Sequence, residues 1–242
     1  PIILATLIDS GVAFPLAFLF SLLLGIGIGY INGFITVTFV IPSFITTLGT
    51  MLVWRGSVLL LTGGWPPFFP TEIPTWFLVG SLGLLRMSLF WYAGITILLW
   101  FILERTDFGN WMFATGGNPV AARAMGVDTG RVKIANFMIC SFLAGFAGII
   151  QSFRLTATLP SMGTGLEMDA IAASVIGGTS MSGGMGTIIG TTIGSFVIRF
   201  IDNGLVMARA PSYWFRVFIG IVTIFAVIFN TYLRERTKRF RC

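Results

Sequence analysis

Apolar residues run along this chain in long blocks, separated by short polar or glycine- and proline-rich breaks. A helix that crosses a bilayer needs about 20 apolar residues, at about 1.5 Å of rise each, to traverse roughly 30 Å of hydrocarbon. Blocks that reach or approach this length occupy residues 14–35, 43–62, 87–103, 134–153, 185–201 and 213–233. The block 166–176 is apolar but short. It predicts a tilted helix or half-helix whose ends need cover from neighbouring helices at membrane depth. Residues 62–75 (TGGWPPFFPTEIPT) hold too many prolines and glycines for a regular helix, and their aromatics suit a membrane interface. Residues 76–85 read as a further short re-entrant piece, 104–133 as a long polar loop, and 234–242 as a polar tail. The pattern predicts an all-α, polytopic transmembrane bundle, folded as one domain over 1–242.

Composition agrees with the blocks. Of the 242 residues, 55% are hydrophobic and 10% charged, against roughly 25% charged in soluble domains. A soluble enzyme or binding module is thereby excluded. The net charge of +6 would suit nucleic acid in a soluble protein. Here the basic residues gather at the edges of apolar blocks, where they orient helices in a membrane, so nucleic acid is not an expected partner. The tail RERTKRFRC (234–242) predicts a cytoplasmic C-terminus. Tracing back, the loop 104–133 is cytoplasmic provided that 166–176 crosses, in agreement with its own Arg105, Arg123, Arg131 and Lys133. The chain opens with Pro1 inside an apolar run and shows no signal-peptide pattern, which predicts a bundle incomplete at its N-terminal end.

Little of the side-chain chemistry suggests catalysis. There is no histidine, and the cysteines are Cys140, within an apolar block, and Cys242, the last residue. A metal site and a disulfide are both unexpected. Residues 177–186 (GGTSMSGGMG) lack the Gly-Lys-Ser/Thr ending of a phosphate-binding loop, and 25–33 (GIGIGYING) sit inside an apolar span. No cofactor is expected on this chain. If ATP drives it, a separate subunit holds ATP and magnesium.

Small residues recur at four-residue spacing: Ser21, Gly25, Gly29 and Gly33, then Ser182, Gly186, Gly190 and Gly194. Such stripes let helix backbones approach closely in lipid, so Gly25, Gly29, Gly33, Gly186, Gly190 and Gly194 are read as packing residues. Polar groups at membrane depth are candidates for a translocation path: Asn32, Thr46, Thr47, Arg55, Glu167 and Asp169. Two of these readings compete with local ones. Arg55 can snorkel to an interface, and Glu167 and Asp169 can be first-turn acids of a helix.

The stretch 114–126 (ATGGNPVAARAMG) carries the most local information. Gly116-Gly117 suits a tight turn with positive φ. Asn118 is a good N-cap, Pro119 suits the first helical position, and Gly126 suits a C-terminal cap. Residues 120–125 then form a short helix, either a knob for a partner's cleft or simply an ordered loop.

The run 104–126 (ERTDFGNWMFATGGNPVAARAMG), continued by Arg131-Val132-Lys133-Ile134, resembles the coupling-loop region of monosaccharide ABC permeases of the ribose/xylose type. Residues 163–194 (GTGLEMDAIAASVIGGTSMSGGMGTIIGTTIG) with Asn203-Gly204-Leu205, 29–33 (GYING) and 42–56 (PSFITTLGTMLVWRG) resemble further blocks of that branched-chain-amino-acid/sugar permease superfamily. The resemblance implies a type II ABC importer permease, arranged as in the vitamin B12 importers, in a bacterial cytoplasmic membrane. It implies a second permease subunit, two ATP-binding subunits, and a periplasmic or extracellular sugar-binding protein. It assigns coupling to the ATPase to Gly116, Gly117, Asn118, Ala121, Ala122, Arg123 and Gly126. The alternative is an accessory transmembrane subunit of another complex, derived from a permease.

Overall fold

A computed structural model describes residues 1–69, 75–83 and 85–209 and, beyond them, 211, 214, 217, 218, 220–225 and 228. In chain order the described elements are α1 (Ile2–Asp9), α2 (Phe14–Thr38), α3 (Ser43–Thr62), α4 (Trp76–Val79), β1 (Ser81–Leu82), β2 (Leu85–Arg86), α5 (Met87–Arg105), α6 (Asp107–Gly117), α7 (Pro119–Ala124), α8 (Thr129–Leu155), α9 (Leu166–Ile176) and α10 (Ile188–Met207). Among the described residues, α2, α3, α5 and α8 are long and apolar enough to cross a membrane, with mean hydropathy of 1.5 to 2.1. Few of their residues are buried within the chain: α5 buries none and α3 only Thr46. Helices so apolar and so uncovered are suited to lipid or to partner helices rather than to water.

The expected blocks 14–35, 87–103, 134–153 and 185–201 become helices with shifted ends, whereas α3 keeps the expected 43–62. The span placed at 185–201 begins at Ile188 and runs to Met207. It has the length to cross, but it holds Arg199 and Asp202 in an ion pair of 3.5 Å and lies outside the four apolar helices. Helix α9 keeps the expected 166–176, about 16 Å of rise, half the hydrocarbon thickness. The segment 76–85 differs from the expected re-entrant piece. It forms one helical turn and a two-residue hairpin, with Ser81 opposite Arg86 and Leu82 opposite Leu85. Residues 70–74 of the aromatic loop, about half of the expected span 213–233 and the whole basic tail 234–242 lie outside the described residues.

The chain divides into two compact units, residues 1–93 with 128–163 and residues 94–127 with 164–242. In the first, α2 and α8 pack antiparallel along the glycine stripe. A Cβ on Gly29 would lie 2.5 Å from the Phe137 carbonyl oxygen and 2.7 Å from Met138 Cα; one on Gly33 would lie 2.8 Å from Ile134 Cα, and one on Gly25 3.2 Å from the Ser141 carbonyl oxygen. Glycine is required there because the facing surface is backbone, which cannot rotate away. The end of α8 also holds the aromatic loop: the Phe69 ring packs at a 41° tilt against Phe153, centroids 4.6 Å apart, and the Thr158 amide donates to the Pro67 carbonyl at 3.1 Å.

In the second unit, α9 and α10 pack as closely, with Gly194 against the Ala173 carbonyl and Gly190 against Gly177. The second small-residue stripe is only partly helical. Ser182 and Gly186 lie in the turn ahead of Ile188 rather than on α10.

Candidate functional site: a capped surface helix

The expected polar loop 104–133 is mostly helical, and each of its helices begins on a side chain of its own. The Thr106 hydroxyl accepts from the Gly109 amide at the start of α6. Asn118 Oδ1 accepts from the Val120 and Ala121 amides, each at 3.1 Å, at the start of α7. Asp128 Oδ1 accepts from the Gly130 and Arg131 amides, each at 3.1 Å, at the start of α8. Its other oxygen, Asp128 Oδ2, accepts from Arg131 Nε at 3.0 Å. An N-cap satisfies amides that have no intrahelical acceptor.

The far end of α7 is also closed. Gly126 has φ of 86°. Its amide donates to the Arg123 carbonyl at 2.9 Å, and the Val127 amide donates to the Ala122 carbonyl at 3.0 Å. This pair is the Schellman arrangement, which needs the left-handed residue that glycine supplies. A helix of six residues is too short to persist by backbone bonding alone. Asn118 and Gly126 define its two ends, and Ala122, 4% exposed, is its buried anchor. Val120 and Met125, 75% and 84% exposed, are its apolar outer residues. Ala121 and Arg123 are exposed as well.

Gly116 and Gly117 do not form the expected turn with positive φ. They are the last residues of α6 and have ordinary helical backbones. For Gly116 the glycine has another cause, the backbone of Gly183 and Gly184, which lies so close that a Cβ on Gly116 would sit 2.6 Å from the Gly184 nitrogen, whereas one on Gly117 would come no nearer than 3.9 Å to Gly184 Cα.

The candidate path residues fall in both units. Asn32 on α2 and Thr46, Thr47 and Arg55 on α3 belong to the first; Glu167 and Asp169 on α9 belong to the second. Asn32 Oδ1 and Thr46 Oγ1 are buried with no hydrogen-bond partner among the described residues. Thr47 spends its hydroxyl on the Ser43 carbonyl one turn back, at 2.9 Å. Arg55 is half-buried in mid-helix. Glu167 Oε2 accepts from the Gly165 amide at 3.0 Å, and both acids lie in the first turn of α9, which also suits the local reading of these residues. Val120 and Met125 were not among the sequence candidates. Their signal in the sequence is two large apolar side chains within a polar stretch, at the two ends of a capped six-residue helix.

The family model described as branched-chain amino acid transport system / permease component matches residues 2–227. The chain belongs to this family. The permease is 38% identical over 239 residues to the autoinducer 2 import system permease protein LsrC of Photorhabdus luminescens, covering 96% of this chain and 70% of that protein. It is 36% identical over 244 residues to the protein of the same name from Escherichia coli, covering 98% and 70%. The Yersinia enterocolitica counterpart is 36% identical over 238 residues, covering 96% and 64%. No solved structure matches. Family membership, with four helices among the described residues long and apolar enough to span, makes this a multi-pass membrane protein and a transport subunit.

Proposed function

We propose that this permease is the membrane subunit of an ATP-driven ABC importer for a monosaccharide, and that α7 is the helix through which a separate ATPase subunit drives it. The observation that carries the reading is α7 itself. A six-residue helix fixed at both ends, with Val120 and Met125 exposed, is a rigid knob of the kind that fits a partner's cleft. Gly116, Gly117, Asn118, Ala121, Ala122, Arg123 and Gly126 build and orient that knob. Ala122 does so from inside, because it is buried. In this reading the loop carrying α7 faces the cytoplasm, as does the C-terminus, and the membrane is a bacterial inner membrane. A second permease subunit completes the path, a periplasmic or extracellular sugar-binding protein delivers the solute, and ATP with magnesium is bound by the partner ATPase.

The motif resemblance favours ribose- or xylose-like sugars, and the relatives' names add autoinducer 2 to the solutes worth testing. The test is purification in mild detergent, identification of the co-purifying subunits, and reconstitution into liposomes with ATP inside or outside. Labelled ribose, xylose and autoinducer 2 are the probes. Accumulation that needs ATP on the α7 side and a co-purifying ATPase is the expected result. A complex with no ATPase and no uptake would instead make the chain an accessory subunit.

A further inference from the structure

The turn between α9 and α10, residues 177–187, is clamped on both sides by backbone rather than by side chains. On one side it meets the end of α6. Gly183 and Gly184 have φ of 82° and 76°. A Cβ on Gly183 would lie 2.7 Å from the Gly116 carbonyl oxygen, and one on Gly184 would lie 2.7 Å from Gly117 Cα. On the other side the turn joins the α9–α10 pair. A Cβ on Gly177 would lie 2.6 Å from the Thr191 nitrogen, and one on Gly194 would lie 3.0 Å from the Gly177 nitrogen. The turn is also internally braced. The Ser180 amide donates to the Met185 carbonyl at 2.9 Å, the Gly183 amide donates to the Ser180 carbonyl at 3.0 Å, and the Thr179 and Thr191 hydroxyls lie 3.3 Å apart.

A contact between two backbones has no rotamer to absorb displacement, and close-packed surfaces pass strain on rather than dissipating it. We propose that the turn 177–187 carries the motion of α6 and α7 into the α9–α10 pair, with Gly116, Gly183 and Gly184 as its positioning residues. This rests on the reading of α7 as the helix that engages the ATPase. It adds the next step of the route. When α7 is displaced, the end of α6 pushes the Gly183–Gly184 backbone, and α9 and α10 shift with it, because Gly177, Gly190 and Gly194 leave no gap between them. The absence of a side chain at Gly116 is what makes the contact, whereas Gly183 and Gly184 also need their left-handed backbone.

Gly116→Ala is therefore the informative variant, since its backbone is helical and only the contact is disturbed. Gly117→Ala is the graded comparison, because its Cβ would come no nearer than 3.9 Å to Gly184 Cα. Gly204→Ala, with nothing within 4 Å, controls for glycine replacement in the same unit. The complete transporter is reconstituted with its ATPase and binding protein. Uptake is read with whichever of labelled ribose, xylose and autoinducer 2 the unmodified transporter accumulates. ATP hydrolysis is read alongside, as is cross-linking of Met125→Cys to the ATPase. Gly116→Ala is expected to lower uptake about tenfold, the size of an ordinary allosteric coupling, with hydrolysis and the cross-link retained. Gly117→Ala is expected to lose less, and Gly204→Ala to match the unmodified protein. Uptake by Gly116→Ala equal to that of Gly204→Ala, with the cross-link present, overturns the turn's role and leaves the α7 reading standing. Absence of the cross-link in the otherwise unmodified transporter overturns both. If Gly116→Ala does not accumulate in the membrane, hydrogen exchange of the unmodified complex decides. Trapping with ATP and vanadate should change exchange in 178–186 together with 118–126, and a change in 118–126 alone overturns the proposal.

Discussion

Replacing Gly29 with alanine adds one methyl group where the α2–α8 contact has least room for it. The new Cβ would lie 2.5 Å from the Phe137 carbonyl oxygen and 2.7 Å from Met138 Cα, whereas carbon contacts settle at about 3.5 to 4.0 Å. Helices α2 and α8 must therefore separate by about 1 Å at this point, because neither neighbouring atom belongs to a side chain that can swing aside. Forced overpacking of this kind costs about 1 to 3 kcal/mol. In the same helix Gly27 has nothing within 4 Å, so Gly27→Ala introduces no clash and gains up to about 1 kcal/mol of helix propensity. The two variants thus have opposite expected signs on one helix. The assay is thermal unfolding of the purified permease in detergent, followed by loss of the monodisperse peak. Gly29→Ala should unfold several degrees below the unmodified protein, and Gly27→Ala at or above it. Equal midpoints for the two variants would refute the close α2–α8 approach.

Three further outcomes follow from the same geometry. Asn118→Ala removes the acceptor of two amides and should weaken α7 by about 1 kcal/mol; uptake should fall with membrane abundance unchanged, and Asn118→Ser, which keeps an acceptor, should recover part of it. Arg123→Glu reverses the charge on the exposed face of α7 and should lower uptake without lowering abundance; unchanged uptake would count against α7 as the coupling helix. Asn32→Leu removes a buried oxygen that has no partner among the described residues, so stability should hold or rise. If Asn32 lines the path, uptake falls while the unfolding midpoint does not, and a parallel fall in both would make it a packing residue.

The sequence made the apolar spans legible because membrane crossing imposes a length and a composition that few other structures need. The boundaries of α3 and α9 were readable for the same reason, with Pro42 ahead of one and Gly177 after the other. The caps of α7 were legible because Asn118, Pro119 and Gly126 each act within a few residues of themselves. What sequence could not convey was contact across the fold. Gly116 looks locally like a turn glycine, and only the approach of Gly183 and Gly184, some 67 positions later in the chain, explains a glycine at that helical position. Ser182 and Gly186 continue the four-residue spacing of Gly190 and Gly194, yet Gly178, Gly183 and Gly184 adopt positive φ and end the helix before the stripe does. The hairpin at 81–86 escaped notice because a two-residue strand leaves no alternation to detect.

Whether α7 docks on an ATPase can be read by cross-linking from its exposed residues. Val120→Cys and Met125→Cys, both at exposed positions, are placed in turn in the complete transporter and treated with a short bifunctional reagent in native membranes. If α7 is the coupling helix, a product joins this chain to the ATPase subunit from both positions, and its yield changes when ATP and vanadate trap the complex. No product with the ATPase from either position, in a transporter that still accumulates solute, would contradict that role.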